Sequence, residues 1–268
     1  MPTRRDIRRS SRFTRRRRWP KVLAFLGLFL AAALLTAYAL SQSDASGAPP
    51  PAATPPAAAE PAATQPLAEK VPQIDILGDS YVAGSAEGGK GAENWTKVVG
   101  SRFYDQGTRV ELNVMALPGS GYMARGNTDL VFRETATLRL RPTADVVVVF
   151  GSRNDGRQTP EAMYKAARSL YSDIHDIAPQ AKVVVVGPVW VNGAVPSFIT
   201  ANNAEMKQAA ADEGIPYIDA LSEGWLAGAN EGLIGLDGIH PTDEGHAYLA
   251  AKLFPFIEEL LPEPAPLD

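Results

Sequence analysis

The chain has 268 residues, with 26 basic and 30 acidic side chains, a formal net charge of −4 and no cysteine. The missing cysteines exclude a disulfide framework and thiol chemistry, and the acidic balance argues against nucleic acid as a partner. The charge is also unevenly spread: residues 1–21 carry nine Arg and one Lys against Asp6, a net +9 that leaves −13 for the rest.

That basic leader abuts residues 22–40, nineteen residues with no charged side chain. About twenty apolar residues cross a bilayer as a helix. A positive flank keeps the N-terminal side in the cytoplasm. The pattern predicts a single-pass membrane anchor with the following chain outside the cytoplasm. Ala37-Tyr38-Ala39 has the small-residue pattern of a cleavage site, so secretion with loss of the segment is the alternative. Residues 41–72 form a linker in which 18 of 32 are Ala or Pro. Such a composition buries too little apolar surface to offset chain ordering and predicts an extended, disordered tether. Its reach is on the order of 100 Å.

Residues 73–262 have the length of one ordinary domain, followed by a short tail at 263–268. Strand-like apolar runs fall at 74–77, 110–115, 146–150 and 183–186, with a shorter fifth at 216–218. Helical patterns lie between and after them, at 95–104, 129–138, 160–177, 200–213 and 242–261. Pro255 should kink or break the last. Val-rich runs separated by helices predict a buried, mostly parallel sheet with helices on both faces.

The first run ends in Gly78-Asp79-Ser80. A serine at the carboxyl end of a strand stands where open α/β sheets place their ligands. A nucleophilic serine needs a base, a group that orients the base, and donors for the developing oxyanion. The chain offers three histidines as bases. His175 falls outside the apolar stripe of its helix, and His246 lies inside the last helix. His240 sits in the turn Asp237-Gly238-Ile239-His240-Pro241-Thr242. There a folded-back Asp237 carboxylate can hold Nδ1–H and leave Nε2 free to take the Ser80 proton. The plain reading of the same turn is a Thr242 helix cap.

Gly78-Asp79-Ser80 near the domain start and Asp237-x-x-His240 near its end resemble the GDSL, or SGNH, hydrolase family. The resemblance implies a flavodoxin-like three-layer α/β/α sandwich around a five-stranded, mostly parallel sheet. It also implies a serine esterase in which Ser80, His240 and Asp237 are catalytic. Two middle blocks stand in the family order: Ala116-Leu117-Pro118-Gly119-Ser120-Gly121 and Gly151-Ser152-Arg153-Asn154-Asp155. By resemblance Gly119 and Asn154 join the Ser80 N–H in an oxyanion hole, with Gly121 a rival for Gly119. The pattern departs from the family at Tyr81, where leucine is usual, and at Ser152, which takes a glycine position. No cofactor or metal is implied. The expected substrates are short acyl esters, such as acetyl groups on glycans, and the catalytic domain is expected to be monomeric. An O-acyltransferase using the same site and a non-catalytic binding module are the alternatives.

Several other features read as structural. Residues 84–90 have P-loop spacing, but Gly91 follows where Ser or Thr would meet Mg²⁺, so a mobile surface loop beside Ser80 is expected. Trp95, Trp190, Trp225 and Tyr122 are expected to pack or anchor loops rather than line a sugar cleft. Asp219, after the fifth run, is assigned a structural role. No Gly-x-Ser-x-Gly elbow is present.

Overall fold

The computed structural model describes residues 70–262. The predicted leader, the membrane segment and nearly all of the linker lie outside these residues, as does the tail. Among the described residues no helix is long and apolar enough to cross a membrane.

Five strands form one sheet: β1 Gln73–Gly78, β2 Glu111–Ala116, β3 Val146–Phe150, β4 Lys182–Val186 and β5 Tyr217–Ile218. Every pairing is parallel, and the order is β2-β1-β3-β4-β5. This is the flavodoxin-like arrangement, in which the chain leaves β1 toward one edge and returns through β3 toward the other. The switch point lies between the carboxyl ends of β1 and β3. Gly78 is in register with Ala116 on one side and Phe150 on the other. The segments that follow all three therefore emerge side by side.

The strand sequences show why the sheet is buried. In β1 and β3, Ile74, Ile76, Val146 and Val148 face one apolar layer, while Leu77, Val147 and Val149 face the other. The first layer is covered by α2 (Trp95–Asp105) and α6 (Asp243–Leu260). The second is covered by α3 (Phe132–Arg139), α4 (Pro160–Ile177) and α5 (Ser197–Asp212). Each fully enclosed Ile or Val contributes about 1.5–3 kcal/mol by leaving water. One charge interrupts the pattern: Asp75 in β1 is fully buried. It is satisfied by Arg141 Nε at 2.6 Å, Arg141 N–H at 2.9 Å and Asn113 Nδ2 at 2.8 Å.

Caps set several helix starts. Asn94, Thr159 and Thr242 each accept a backbone N–H of the first turn, and Pro160 opens α4 where a missing N–H costs nothing. Two helices start elsewhere than their periodicity suggests. The α3 helix begins at Phe132 because Asp129 has φ 59°, a left-handed turn conformation. The α5 helix begins earlier, at Ser197, directly after Pro196. The expectation that Pro255 ends the last helix fails: α6 runs through it to Leu260. Leu249, Leu253, Phe254 and Ile257 bury that helix on both sides of the proline. The carbonyl it leaves unbonded belongs to exposed Ala251, where water can serve it. A four-residue helix, α1 (Ser80–Ala83), has no counterpart in the sequence reading.

Candidate active site

Ser80 is the first residue of α1, immediately beyond β1. Asp79 caps this helix by accepting Tyr81 N–H at 2.9 Å. Gly78 is required behind it: a Cβ there would lie 2.3 Å from Val82 Cγ2 and 2.9 Å from the Phe150 carbonyl. Trp95 Nε1 donates to the Tyr81 carbonyl at 3.0 Å. The serine is thus held on a short, braced turn, with 9% of its surface exposed.

His240 approaches from the loop between β5 and α6. Its Nε2 lies 3.0 Å from Ser80 Oγ, and its Nδ1 lies 2.6 Å from Asp237 Oδ2. The other carboxylate oxygen of Asp237 accepts the N–H groups of Ile239 and His240, both at 2.8 Å. Gly238 permits this tight turn at φ 66°. Partial burial pushes the Asp237 carboxyl up, but the hydrogen bonds from His240 and Ile239 outweigh it and bring it down to about 2. Asp237 is therefore an anion at neutral pH. It takes the Nδ1–H, so Nε2 presents its lone pair to the Ser80 hydroxyl.

Two loops secure that turn. Glu87 accepts Leu236 N–H at 2.7 Å, and Gly89 N–H donates to Asp243 Oδ1 at 2.8 Å. Asn94 Nδ2 holds the Gly89 carbonyl at 2.9 Å. The 84–90 loop, expected to be a mobile feature, is thus tied to the turn that carries His240. Tyr81 provides the second tie, donating its hydroxyl proton to the Ile239 carbonyl.

The two middle blocks meet beside Ser80. Gly119 follows β2 at φ 79°, exposed, and its N–H has no acceptor among the described residues. Gly121 N–H is already given to the Ala124 carbonyl at 2.9 Å. A Cβ at Gly121 would stand 2.4 Å from Asp155 Oδ1, so packing alone accounts for glycine there. Ser152, the departure from the family pattern, is buried. It donates to the Ser120 carbonyl at 3.0 Å and accepts Asn154 N–H at 2.9 Å, stitching the two blocks together. Asn154 Nδ2 donates to Asp79 Oδ2 at 3.1 Å and to the Ser120 carbonyl at 2.9 Å. Burial raises the Asp79 carboxyl to about 6, against the pull of the Tyr81 N–H.

The remaining sequence candidates separate cleanly. His175 is exposed on α4. His246 is fully buried, accepts Trp95 N–H at 3.4 Å, and is held by burial at about 4. Trp95, Trp225 and Tyr122 are core, with the Tyr122 hydroxyl 2.9 Å from that of Tyr171. Asp219 is bound by Asn203 and Lys207 at 3.0 Å and by Ser222 N–H at 3.1 Å. Trp190 is different: it is half-buried beneath the Arg153 guanidinium. The sequence reading placed Glu87, Ser152 and Arg153 in segments near the site but not the contacts they make: Glu87 with Leu236 N–H, Ser152 with the Ser120 carbonyl, and Arg153 with the Tyr81 hydroxyl. Only the departures at Tyr81 and Ser152 hinted that this site is braced in its own way.

Fold and site, read beside known proteins, define a hydrolase acting on esters. The chain belongs to the GDSL-like lipase/acylhydrolase family, whose model matches residues 76–248. It is 33% identical over 187 residues to a GDSL lipase of Mycobacterium tuberculosis, a match spanning 69% of this chain and 80% of the relative. Its fold is similar to a lipase/acylhydrolase from Enterococcus faecalis, with TM-score 0.59 and 19% identity over 74% of this chain and all of that one. It is also similar to a family two carbohydrate esterase from Clostridium thermocellum, with TM-score 0.55 and 14% identity over 70% of this chain and 64% of that one.

Proposed function

We propose that the protein is a membrane-tethered, extracytoplasmic serine esterase that hydrolyses short acyl esters, including O-acetyl groups on glycans. The observation that carries the reading is the continuous relay from Asp237 through His240 to Ser80, at 2.6 and 3.0 Å. Ser80 Oγ attacks the acyl carbonyl as His240 Nε2 takes its proton, and the ionised Asp237 stabilises the imidazolium. His240 then returns the proton to the leaving alkoxide. Water, activated by the same imidazole, releases the acyl group from Ser80.

The developing oxyanion is met by the N–H groups of Ser80 and Gly119, neither of which has an acceptor among the described residues. Asn154 completes the hole by giving one N–H to the oxyanion in place of the Ser120 carbonyl, while Asp79 keeps the other. A donor of this kind is worth about 3–4 kcal/mol of barrier. Glycan esters suit a site on a fold shared with carbohydrate esterases. The anchor at residues 22–40 and the Ala/Pro tether, both sequence readings, would hold the domain away from a bilayer and let it reach the surrounding envelope.

The test is hydrolysis of p-nitrophenyl esters of increasing chain length, with fluorophosphonate labelling, by wild type and Ser80→Ala. Turnover and labelling that vanish together in Ser80→Ala, with acetate the preferred ester, are expected. A folded wild type that neither labels nor turns over any ester refutes the assignment. For the anchor, the full chain should fractionate with membranes and become soluble when residues 1–64 are removed. A full chain recovered in the soluble fraction overturns the tether.

A further inference from the structure

We propose that Arg153 is a specificity-determining residue that binds a carboxylate or phosphate carried by the ester substrate. The inference rests on the Ser80 site proposed above and specifies its substrate class.

Among the described residues, Arg141 and Arg153 are the two half-buried arginines; the others are exposed. Arg141 is neutralised by the buried Asp75 at 2.6 Å. Arg153 has no carboxylate within 4.0 Å among the described residues. Its guanidinium carbon instead lies 4.1 Å from the centroid of the Trp190 ring, and one terminal nitrogen donates to the Tyr81 hydroxyl at 3.2 Å. The hydroxyl has already given its proton to the Ile239 carbonyl. Burial pushes the phenol up to about 12, so Tyr81 is no counter-ion. A guanidinium carries five N–H donors in a planar fork. One is spent on Tyr81. Taking a cation partly out of water costs free energy that a paired anion would offset.

Its location gives the unpaired charge a use. Arg153 precedes Asn154 on the loop after β3, and Tyr81 follows Ser80 on the turn after β1. The Tyr81 ring centroid is 6.2 Å from that of His240. The cation therefore borders the reacting groups across one aromatic ring. The guanidinium carbon lies over the face of the Trp190 ring. A stacked guanidinium keeps its edge open, and that edge is what a carboxylate or phosphate engages with two parallel hydrogen bonds. Tyr81 is leucine in the usual family pattern, and a leucine would offer Arg153 no acceptor.

The experiment compares matched esters on wild type, Arg153→Met and Arg153→Lys. One pair places the anion on the acyl side: p-nitrophenyl hemisuccinate against p-nitrophenyl butyrate. Two place it on the alcohol side: 4-acetoxybenzoate and 4-acetoxyphenyl phosphate, each against phenyl acetate. In wild type, at least one anionic ester should have the higher kcat/KM, mainly through KM, with the preference weakening as salt rises. In Arg153→Met the anionic-to-neutral ratio should fall roughly tenfold or more, the worth of a charge-assisted hydrogen bond. Arg153→Lys should keep part of it, as a charge without the fork, and stands in if the methionine variant fails to fold. Turnover of neutral esters with no anionic preference in wild type, or with a ratio that Arg153→Met leaves unchanged, overturns the inference and makes Arg153 a brace for Tyr81 and Trp190. A wild type that hydrolyses none of the esters overturns the esterase reading as well.

Discussion

Replacing Asp237 by asparagine tests the relay at the point where its geometry is most constrained. One carboxylate oxygen accepts two backbone N–H groups at 2.8 Å, and the other lies 2.6 Å from His240 Nδ1. Asparagine is almost the same size, and its single carbonyl oxygen must stay with the two N–H groups for the turn to persist. Its NH₂ group then faces Nδ1. Two donors cannot share that contact, so Nδ1 must become the acceptor and the ring proton moves to Nε2. His240 would then point a proton at Ser80 Oγ, 3.0 Å away, and could not act as a base. The analogous wrong-tautomer substitution in a serine protease costs about 10⁴-fold in kcat, roughly 5.5 kcal/mol of barrier. A loss of about 10³–10⁴-fold in kcat is expected here, with the thermal midpoint nearly unchanged because both turn hydrogen bonds survive. Asp237→Ala should lose the activity and also lower the midpoint. Steady-state hydrolysis of p-nitrophenyl acetate beside a thermal melt measures both. An Asp237→Asn enzyme within tenfold of wild type would refute the argument that the carboxylate sets the histidine tautomer.

Three further outcomes follow from neighbouring contacts. His246 stays neutral in the fold down to about 4 against an ordinary 6.5, so between those pH values the unfolded chain binds a proton that the native state does not. Stability should therefore fall as pH drops through that window, by up to about 3 kcal/mol from this group. Asp79 acts with the opposite sign: its carboxyl is raised by burial from 3.8 to about 6, and its contribution is lost as pH rises across that interval. Urea midpoints of wild type and His246→Gln from pH 4 to 7 isolate the histidine; a difference that stays flat across the range contradicts the assignment. Gly121→Ala drives a Cβ toward Asp155 Oδ1 and should cost about 1–3 kcal/mol of stability. Gly119→Ala meets only ordinary contacts, Asn127 Oδ1 at 3.7 Å and Gly126 Cα at 3.8 Å, but stands at φ 79°, so it should cost about 1–2 kcal/mol through backbone strain and, if the Gly119 N–H serves the oxyanion, about a hundredfold in kcat as well. A folded Gly121→Ala variant that loses kcat while Gly119→Ala keeps it would transfer that role to Gly121. Glu87→Ala releases Leu236 N–H and should lower kcat several-fold at constant KM, while Glu87→Gln, which keeps an acceptor, should stay near wild type. Equal losses in both would show that the charge, not the tie, matters.

Much of this architecture is legible in the amino-acid sequence. The Val-rich run 146–150 coincides with β3, and the amphipathic stretch 160–177 coincides with α4. Both signals are local: a continuous apolar run for a strand covered on two faces, and a 3.6-residue stripe for a helix covered on one. The Asp237-x-x-His240 spacing was legible for the same reason, because a turn of four residues closes on itself. The single-residue departures at Tyr81 and Ser152 were visible, but not their consequence. That depended on what stands opposite them: the Ile239 carbonyl for one, the Ser120 carbonyl for the other.

By itself the sequence determined the alternation of strands and helices, the serine turn after β1 and the aspartate–histidine turn before α6. Each is set by residues within a few positions of one another. Only the tertiary structure decided that His240, 160 positions from Ser80, comes within 3.0 Å of it, and that the Gly119 N–H has no acceptor among the described residues while that of Gly121 is spent. It also decided that α6 passes through Pro255 and that Arg153 has no carboxylate within 4.0 Å among the described residues. These outcomes depend on parallel pairing between segments remote in sequence, which brings the carboxyl ends of β1, β2 and β3 into one register. No local pattern encodes that register, because it is chosen by the simultaneous burial of every strand's two faces.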